Sequence, residues 1–190
     1  MEKFNKIISE LTPLKIQNID TDQIIPARFL KAVSREGFGK NLFRDWRYDS
    51  NNEPIKDFVL NNHNKDSKIL IAGRNFGCGS SREHAAMEPR FMGCKIILAK
   101  SFARIAQTNL QKQGIIPLIF ENESDYDLIE AFDTISTVNL KEFKSGNNIK
   151  LSLKKPDGSI HTINTLHTFS NNQVSWFKAG SALNLIANQS

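Results

Sequence analysis

Thirteen residues, Gly73–Ala85 (GRNFGCGSSREHA), hold three glycines, two adjacent serines, a cysteine, two arginines and a histidine. They follow the apolar run KILIA, Lys68–Ala72. Gly77 and Gly79 let the backbone turn sharply and approach a ligand. A helix is expected to begin near Ser81. Its first turn leaves N–H groups unpaired and carries partial positive charge, so it favours an anion. Arg82 adds a guanidinium that can grip a carboxylate with two parallel hydrogen bonds. The chemistry on offer is anion binding beside two hydroxyls. The competing reading is an N-capped helix whose glycines make a tight turn and whose Arg82 pairs with Glu83 or Glu88.

Other loop chemistries do not match. A phosphate-binding GxxxxGK[ST] needs a lysine that is missing here, and "GCGSSR" does not fit the dinucleotide pattern GxGxxG. A hydrolase elbow, GxSxG, is also absent. Cys78 reads as a small packed residue, and His84 as a structural residue of the helix.

The elements around the loop form the clearest pattern in the chain. KILIA and KIILA (Lys95–Ala99) read as short buried strands, with IIPLIF (Ile115–Phe120) as a third. Between the first two lies the loop and its helix, which Pro89 must end or kink. Between the last two, Ser101 is the expected N-cap of a helix with Phe102, Ile105, Ala106 and Leu110 on one face and Gly114 as its stop. Strand–helix–strand–helix–strand predicts a parallel α/β core. In such cores ligands gather at the strand-to-helix loops.

The flanks read differently. Pro13–Pro26 (PLKIQNIDTDQIIP) has strand-like apolar positions around a polar turn, and Asp49–Lys68 reads as an exposed connection. DYDLIEAF predicts a short helix, and NIKLSLKK–PDG–SIHTINTLHTF predicts a hairpin. A final amphipathic helix is expected over roughly Asn172–Ala187, with Val174, Phe177, Leu183 and Ile186 facing inward. One α/β domain spanning residues 1–190 is the expectation.

With 190 residues the chain can bury one sizeable core. No run approaches the roughly 20 apolar residues of a membrane helix, and the N-terminal stretch lacks the long apolar core of a secretory signal. A cytoplasmic protein without a membrane partner is expected. The net charge of +5 favours anionic partners mildly. The most basic stretch, Arg28–Tyr48, holds six Lys/Arg against two acids. It reads as a solvated surface loop or as a pocket or lid for an anionic small molecule, and nucleic acid is not the expected partner. Two cysteines without a CxxC exclude a cluster held by four thiolates of this chain alone, and no metal site is expected.

GSSREHA followed by KIILAKSFARIAQTNLQKQGIIPLIF resembles the swivelling C-terminal domain of the aconitase superfamily. NIDTDQIIPARFL and GFGKNLFRDWRY resemble, more specifically, the small subunits of bacterial 3-isopropylmalate dehydratases. AMEPRFMG and HTFSNNQVSWFKAGSALNLI are closer to aconitases. The resemblance implies an aconitase-like swivelling fold of β/β/α type, with the hairpin and helix at its C-terminal end and a variable substrate loop near residues 28–48. It also implies a hydro-lyase subunit that works in a heterodimer with a large subunit. A 4Fe–4S cluster is then expected on the large subunit, with no cofactor bound by this chain.

The implied reaction dehydrates 2-isopropylmalate and rehydrates it to 3-isopropylmalate, in leucine synthesis. A related small hydroxy-diacid substrate, of homoaconitase or citraconate/methylmalate type, is the alternative, as is a non-catalytic binding module of the same fold. By resemblance Ser80 is the base, while Ser81 and Arg82 bind substrate carboxylate. Asp22 either braces the loop or takes part in catalysis. Arg28 and Arg35 are the candidates for a further substrate-gripping arginine. A serine hydroxyl is a very weak acid, so its alkoxide needs strong local positive charge.

Overall fold

The computed structural model describes residues 6–31, 37–62 and 67–188. Seven strands, β1 (Ile8–Pro13), β2 (Ile69–Ala72), β3 (Ile96–Ala99), β4 (Ile116–Phe120), β5 (Thr134–Thr137), β6 (Lys150–Lys154) and β7 (Ile160–Leu166), close into a barrel. β1 to β4 run parallel, in the order β1-β2-β3-β4. β7, β6 and β5 return antiparallel from β4 to β1.

Helices α1 (Thr21–Ile24) and α2 (Arg44–Arg47) lie before β2. α3 (His84–Phe91) and α4 (Arg104–Lys112) cross between the parallel strands. α5 (Asp125–Leu128) follows β4, and α6 (Asn171–Ala179) and α7 (Ala182–Ala187) end the chain.

β2, β3 and β4 are apolar throughout because both of their faces are covered. Side chains alternate across a strand. In β2, Ile69 and Ile71 belong to the cluster that includes Ile96, Leu98, Ile116 and Leu118, and fill the barrel. Leu70 and Ala72 point the other way, into a second cluster with Ile97, Ala85, Ala86 and Leu110 from under α3 and α4. Register fixes the layers: Ile69 lies opposite Ile96, which lies opposite Ile116. Each such side chain contributes roughly 1.5–3 kcal/mol when fully buried.

Several expectations need correction. Pro13–Pro26 is not a strand pair: β1 lies earlier, and the DTD turn opens α1 instead. α3 starts at His84, three residues after Ser81, and Pro89 sits inside it, two residues before its end. Ser101 does not cap α4, whose N-cap is Ala103. The Ser101 hydroxyl accepts the Asn75 N–H at 2.8 Å, so it braces the glycine loop. With α4 starting later, Ile105 faces outward. The C-terminal helix is two helices, because Gly180 ends α6 at φ 89° and Ser181 caps α7 anew. Val174 and Phe177 pack inward, but Leu183 and Ile186 are 64% and 61% exposed.

The basic stretch is not a solvated loop over its described part. Phe38, Leu42 and Phe43 are buried in the second cluster, and Phe43 stacks on Trp46 with ring centroids 5.4 Å apart.

Candidate active site

The glycine loop leaves the C-terminal end of β2 and is zipped to the DTD segment by backbone hydrogen bonds. Asn18 N donates to Arg74 O at 2.9 Å, Gly77 N to Ile19 O at 2.7 Å, and Thr21 N to Cys78 O at 3.0 Å. This extends the parallel β1–β2 pairing past the strand ends, as the bridge between Asp20 and Cys78 records. Two stretches about 60 residues apart are thereby held side by side.

Gly77 lies at φ 76° with α4 directly against it, so that a β-carbon there would sit 2.4 Å from Ala106 Cβ. Gly79 lies at φ 91° beside Asp20 and Thr21. Both glycines are needed, one for close approach and both for a left-handed backbone.

α1 is short but well anchored. The Asp20 carboxylate accepts the Gln23 N–H at 2.8 Å, and the Gln23 side chain accepts the Asp20 N–H at 2.9 Å. This reciprocal box sets Thr21 at the first helical position. There its hydroxyl lies 3.1 Å from Ser80 Oγ. One residue on, Asp22 accepts a hydrogen bond from Arg82 Nη1, forming an ion pair. Thus Arg82 pairs with neither Glu83 nor Glu88. Glu83 instead accepts from Gln113 at 2.9 Å.

Ser80, Ser81 and Arg82 share one cleft with Thr21, Ala106 and Asn109. Its open space is about 10 Å³, room for about one water molecule. Ser80 and Ser81 are exposed at its mouth, whereas Arg82 is half-buried. Arg82 has five N–H donors in a planar fork, and the Asp22 contact engages Nη1. The arrangement sets two hydroxyls and a guanidinium around a small opening, a surface able to receive a carboxylate.

The two further arginine candidates are not brought there. Arg28 pairs with Asp45 on α2, lies over the Phe29 ring, and is not among the residues lining the cleft. Its bond to Asp45 holds that carboxyl below the usual range. Arg35 lies outside the described residues. Thr21 was not singled out by the sequence. The available signal was its place inside DTD, where a short N-cap turn must present one hydroxyl toward whatever packs against it.

Behind the cleft, on α3, Glu88 is fully buried. Among the described residues neither of its oxygens has a hydrogen-bond partner of proper geometry, although Asn41 and Arg47 are close enough to favour its charged form. Burial dominates and pushes its carboxyl up to about 8.

The donor set does not fit an iron–sulfur cluster. Cys94 is buried and its thiol is pushed up to about 12 by desolvation. Cys78 is half-buried and directs its sulfur to Asn18 O at 3.5 Å. Among the described residues no His, Cys, Asp or Glu group could hold a metal ion. A four-thiolate cluster cannot be built from two cysteines.

The family model for the aconitase C-terminal domain matches residues 1–123, which include β1 to β4, the DTD segment and the whole glycine loop. The chain belongs to the aconitase C-terminal domain family. The 3-isopropylmalate dehydratase small subunit of Azobacteroides pseudotrichonymphae is 49% identical to it over 160 residues, covering 82% of this chain and 81% of that protein. The homocitrate dehydratase of Saccharomyces cerevisiae mitochondria is 53% identical over 124 residues, covering 63% of this chain but 16% of the yeast protein. The crystal structure of a 3-isopropylmalate dehydratase from Methanocaldococcus jannaschii superposes with a TM-score of 0.70 at 26% identity, covering 97% of this chain and 95% of that one. The aconitase-like swivelling fold expected from the motifs is therefore the fold observed. Among the described residues no helix is long and apolar enough to cross a membrane.

Proposed function

We propose that this chain is the small subunit of a 3-isopropylmalate dehydratase, which converts 2-isopropylmalate to 3-isopropylmalate by dehydration and rehydration in leucine synthesis. The observation that carries the proposal is the convergence of Ser80, Ser81 and Arg82 on one cleft, in a chain aligned over most of its length with a relative of that name. A water-sized opening cannot enclose a hydroxy-diacid, so this reading has the site completed by a large subunit. The 4Fe–4S cluster of the reaction belongs in this reading to that subunit, in keeping with the donor set here.

Within this chain, Ser80 is the base that removes the proton next to a carboxylate. Ser81 and Arg82 hold a substrate carboxylate, Arg82 through guanidinium donors not engaged by Asp22. Asp22 fixes the plane and reach of that guanidinium. Arg28 and Arg35 stand as candidates for a second grip on substrate. The cytoplasm is the proposed location.

The test is reconstitution with the cognate large subunit under anaerobic conditions, following the unsaturated diacid. Ser80→Ala should lower kcat by about 10²–10⁴-fold, the usual weight of a general base, with partner binding intact. Activity near wild type in Ser80→Ala would remove Ser80 from the role. A panel of hydroxy-diacids tests the substrate. The yeast homocitrate dehydratase match and the AMEPRFMG stretch favour a homoaconitase-type substrate as the second reading. No turnover across the panel would leave a binding module.

A further inference from the structure

We propose that Thr21 is a positioning residue, which donates its hydroxyl hydrogen to Ser80 Oγ and thereby sets the direction and basicity of that oxygen. The inference rests on the reading of Ser80 as base.

Thr21 is buried, with 2% of its surface exposed. Most buried hydroxyls place their hydrogen on an acceptor. Among the described residues, the one side-chain partner of Thr21 Oγ1 is Ser80 Oγ, at 3.1 Å. The Thr21 N–H is already used by Cys78 O. Ser80, by contrast, is exposed at the cleft mouth and can direct its own hydrogen to solvent or substrate. Either hydroxyl could donate by distance alone, and the asymmetry in burial favours Thr21 as the donor and Ser80 as the acceptor.

This direction has a chemical consequence. With one lone pair occupied by Thr21, the Ser80 hydrogen is turned away from α1 and toward the opening. When Ser80 carries negative charge, the same hydrogen bond becomes charge-assisted and stronger. A donor that favours the charged form lowers the pKa of the group. The geometry is held from both sides. The Asp20–Gln23 box fixes the start of α1, and the Thr21 N–H to Cys78 O bond fixes its distance from the loop. Gly79 lies between them, where a β-carbon would come 3.5 Å from Thr21 Oγ1.

Two experiments test the proposal. In the reconstituted enzyme, Thr21→Val keeps the branched shape and removes the hydroxyl. It should lower kcat about 10- to 100-fold, leave KM nearly unchanged, and move the acid limb of the kcat–pH profile up by about one unit. Thr21→Ser should restore most of the rate and the profile. Equal impairment in both variants, or a wild-type profile in Thr21→Val, would overturn the assignment.

The second experiment needs no turnover. In a Cys78→Ala background, Ser80→Cys places a thiol at position 80, and alkylation as a function of pH reads its pKa in the full-length chain. Adding Thr21→Val should raise that pKa by about one unit. An unchanged value would overturn the proposal whatever the substrate is. Loss of activity in Ser80→Ala, together with indifference to Thr21, would sink this inference alone. Activity retained in Ser80→Ala would sink the base assignment itself.

Discussion

The two halves of the barrel use the same interior and opposite exteriors. β2, β3 and β4 are covered on both faces and are apolar along nearly their full length. β5, β6 and β7 alternate, burying Ile135, Leu151, Leu153 and Ile163 while turning Lys150, Lys154, Ile160 and Thr162 to water. The parallel half needs crossover connections, and those connections carry the glycine loop. In the antiparallel half, β6 and β7 are joined by a turn at residues 156–159 that is too short to hold a site. Division of labour follows from strand direction: parallel pairing forces long loops, and long loops have room for chemistry.

Each half also buries a carboxylate, handled differently. Asp133 is fully buried but receives Lys155 Nζ at 2.9 Å and the Glu130 N–H at 2.9 Å. Glu88, under the site-bearing half, has neighbours but no completed hydrogen bond. The contrast is one of degree, since among the described residues Asp133 Oδ1 is unpaired too, against both oxygens of Glu88.

The comparison can be broken by substitution. The largest effect is expected at Ile97, which faces outward from β3 yet is wholly buried under the helices. Ile97→Ala should cost about 2–5 kcal/mol in denaturant unfolding. Gly77→Ala should reach the same range: a left-handed residue costs about 1–2 kcal/mol and the clash with Ala106 roughly 1–3 more. It should also lower the activity of the reconstituted enzyme, because the loop cannot keep its distance from α4.

Glu88→Gln sharpens the contrast through pH. The folded-state carboxyl titrates at about 8 against an ordinary 4.5. Between those values the folded chain holds a proton that the unfolded chain has lost, so this residue makes stability fall as pH rises. The advantage of Glu88→Gln should therefore be absent below about pH 4.5 and grow by at most about 1.4 kcal/mol per unit up to about pH 8. A constant difference across that range, read from melting curves, would contradict the assignment. The smallest effect belongs to the antiparallel exterior: Ile160 is 66% exposed, and Ile160→Ala should change stability by less than about 1 kcal/mol.

Legibility in the sequence followed the same division. KILIA, KIILA and IIPLIF announced the parallel core because strands buried on both faces are unbroken apolar runs. The hairpin of β6 and β7 was legible from its alternation and the PDG turn. β1 was not, since ISELTP mixes exposed Ile8 and Glu10 with buried Leu11 and Thr12, leaving no clean period. Barrel closure was therefore hidden, because it depends on β1 pairing with β5 across more than a hundred residues. In the site, Ser80 and Arg82 stood out by type and spacing. Thr21 did not, because its hydroxyl acquires meaning only when the DTD segment is laid against the loop.

Among the described residues every strand has two hydrogen-bonded neighbours. A ring of this kind leaves less unpaired backbone N–H and C=O along which another chain could add a strand, although β7 meets β4 only at Thr165 and Leu166. At the paired stretches, association is then written in side chains and loop ends rather than in sheet extension. A barrel can thus limit strand-to-strand contact in a crowded solution while displaying the glycine loop at one end.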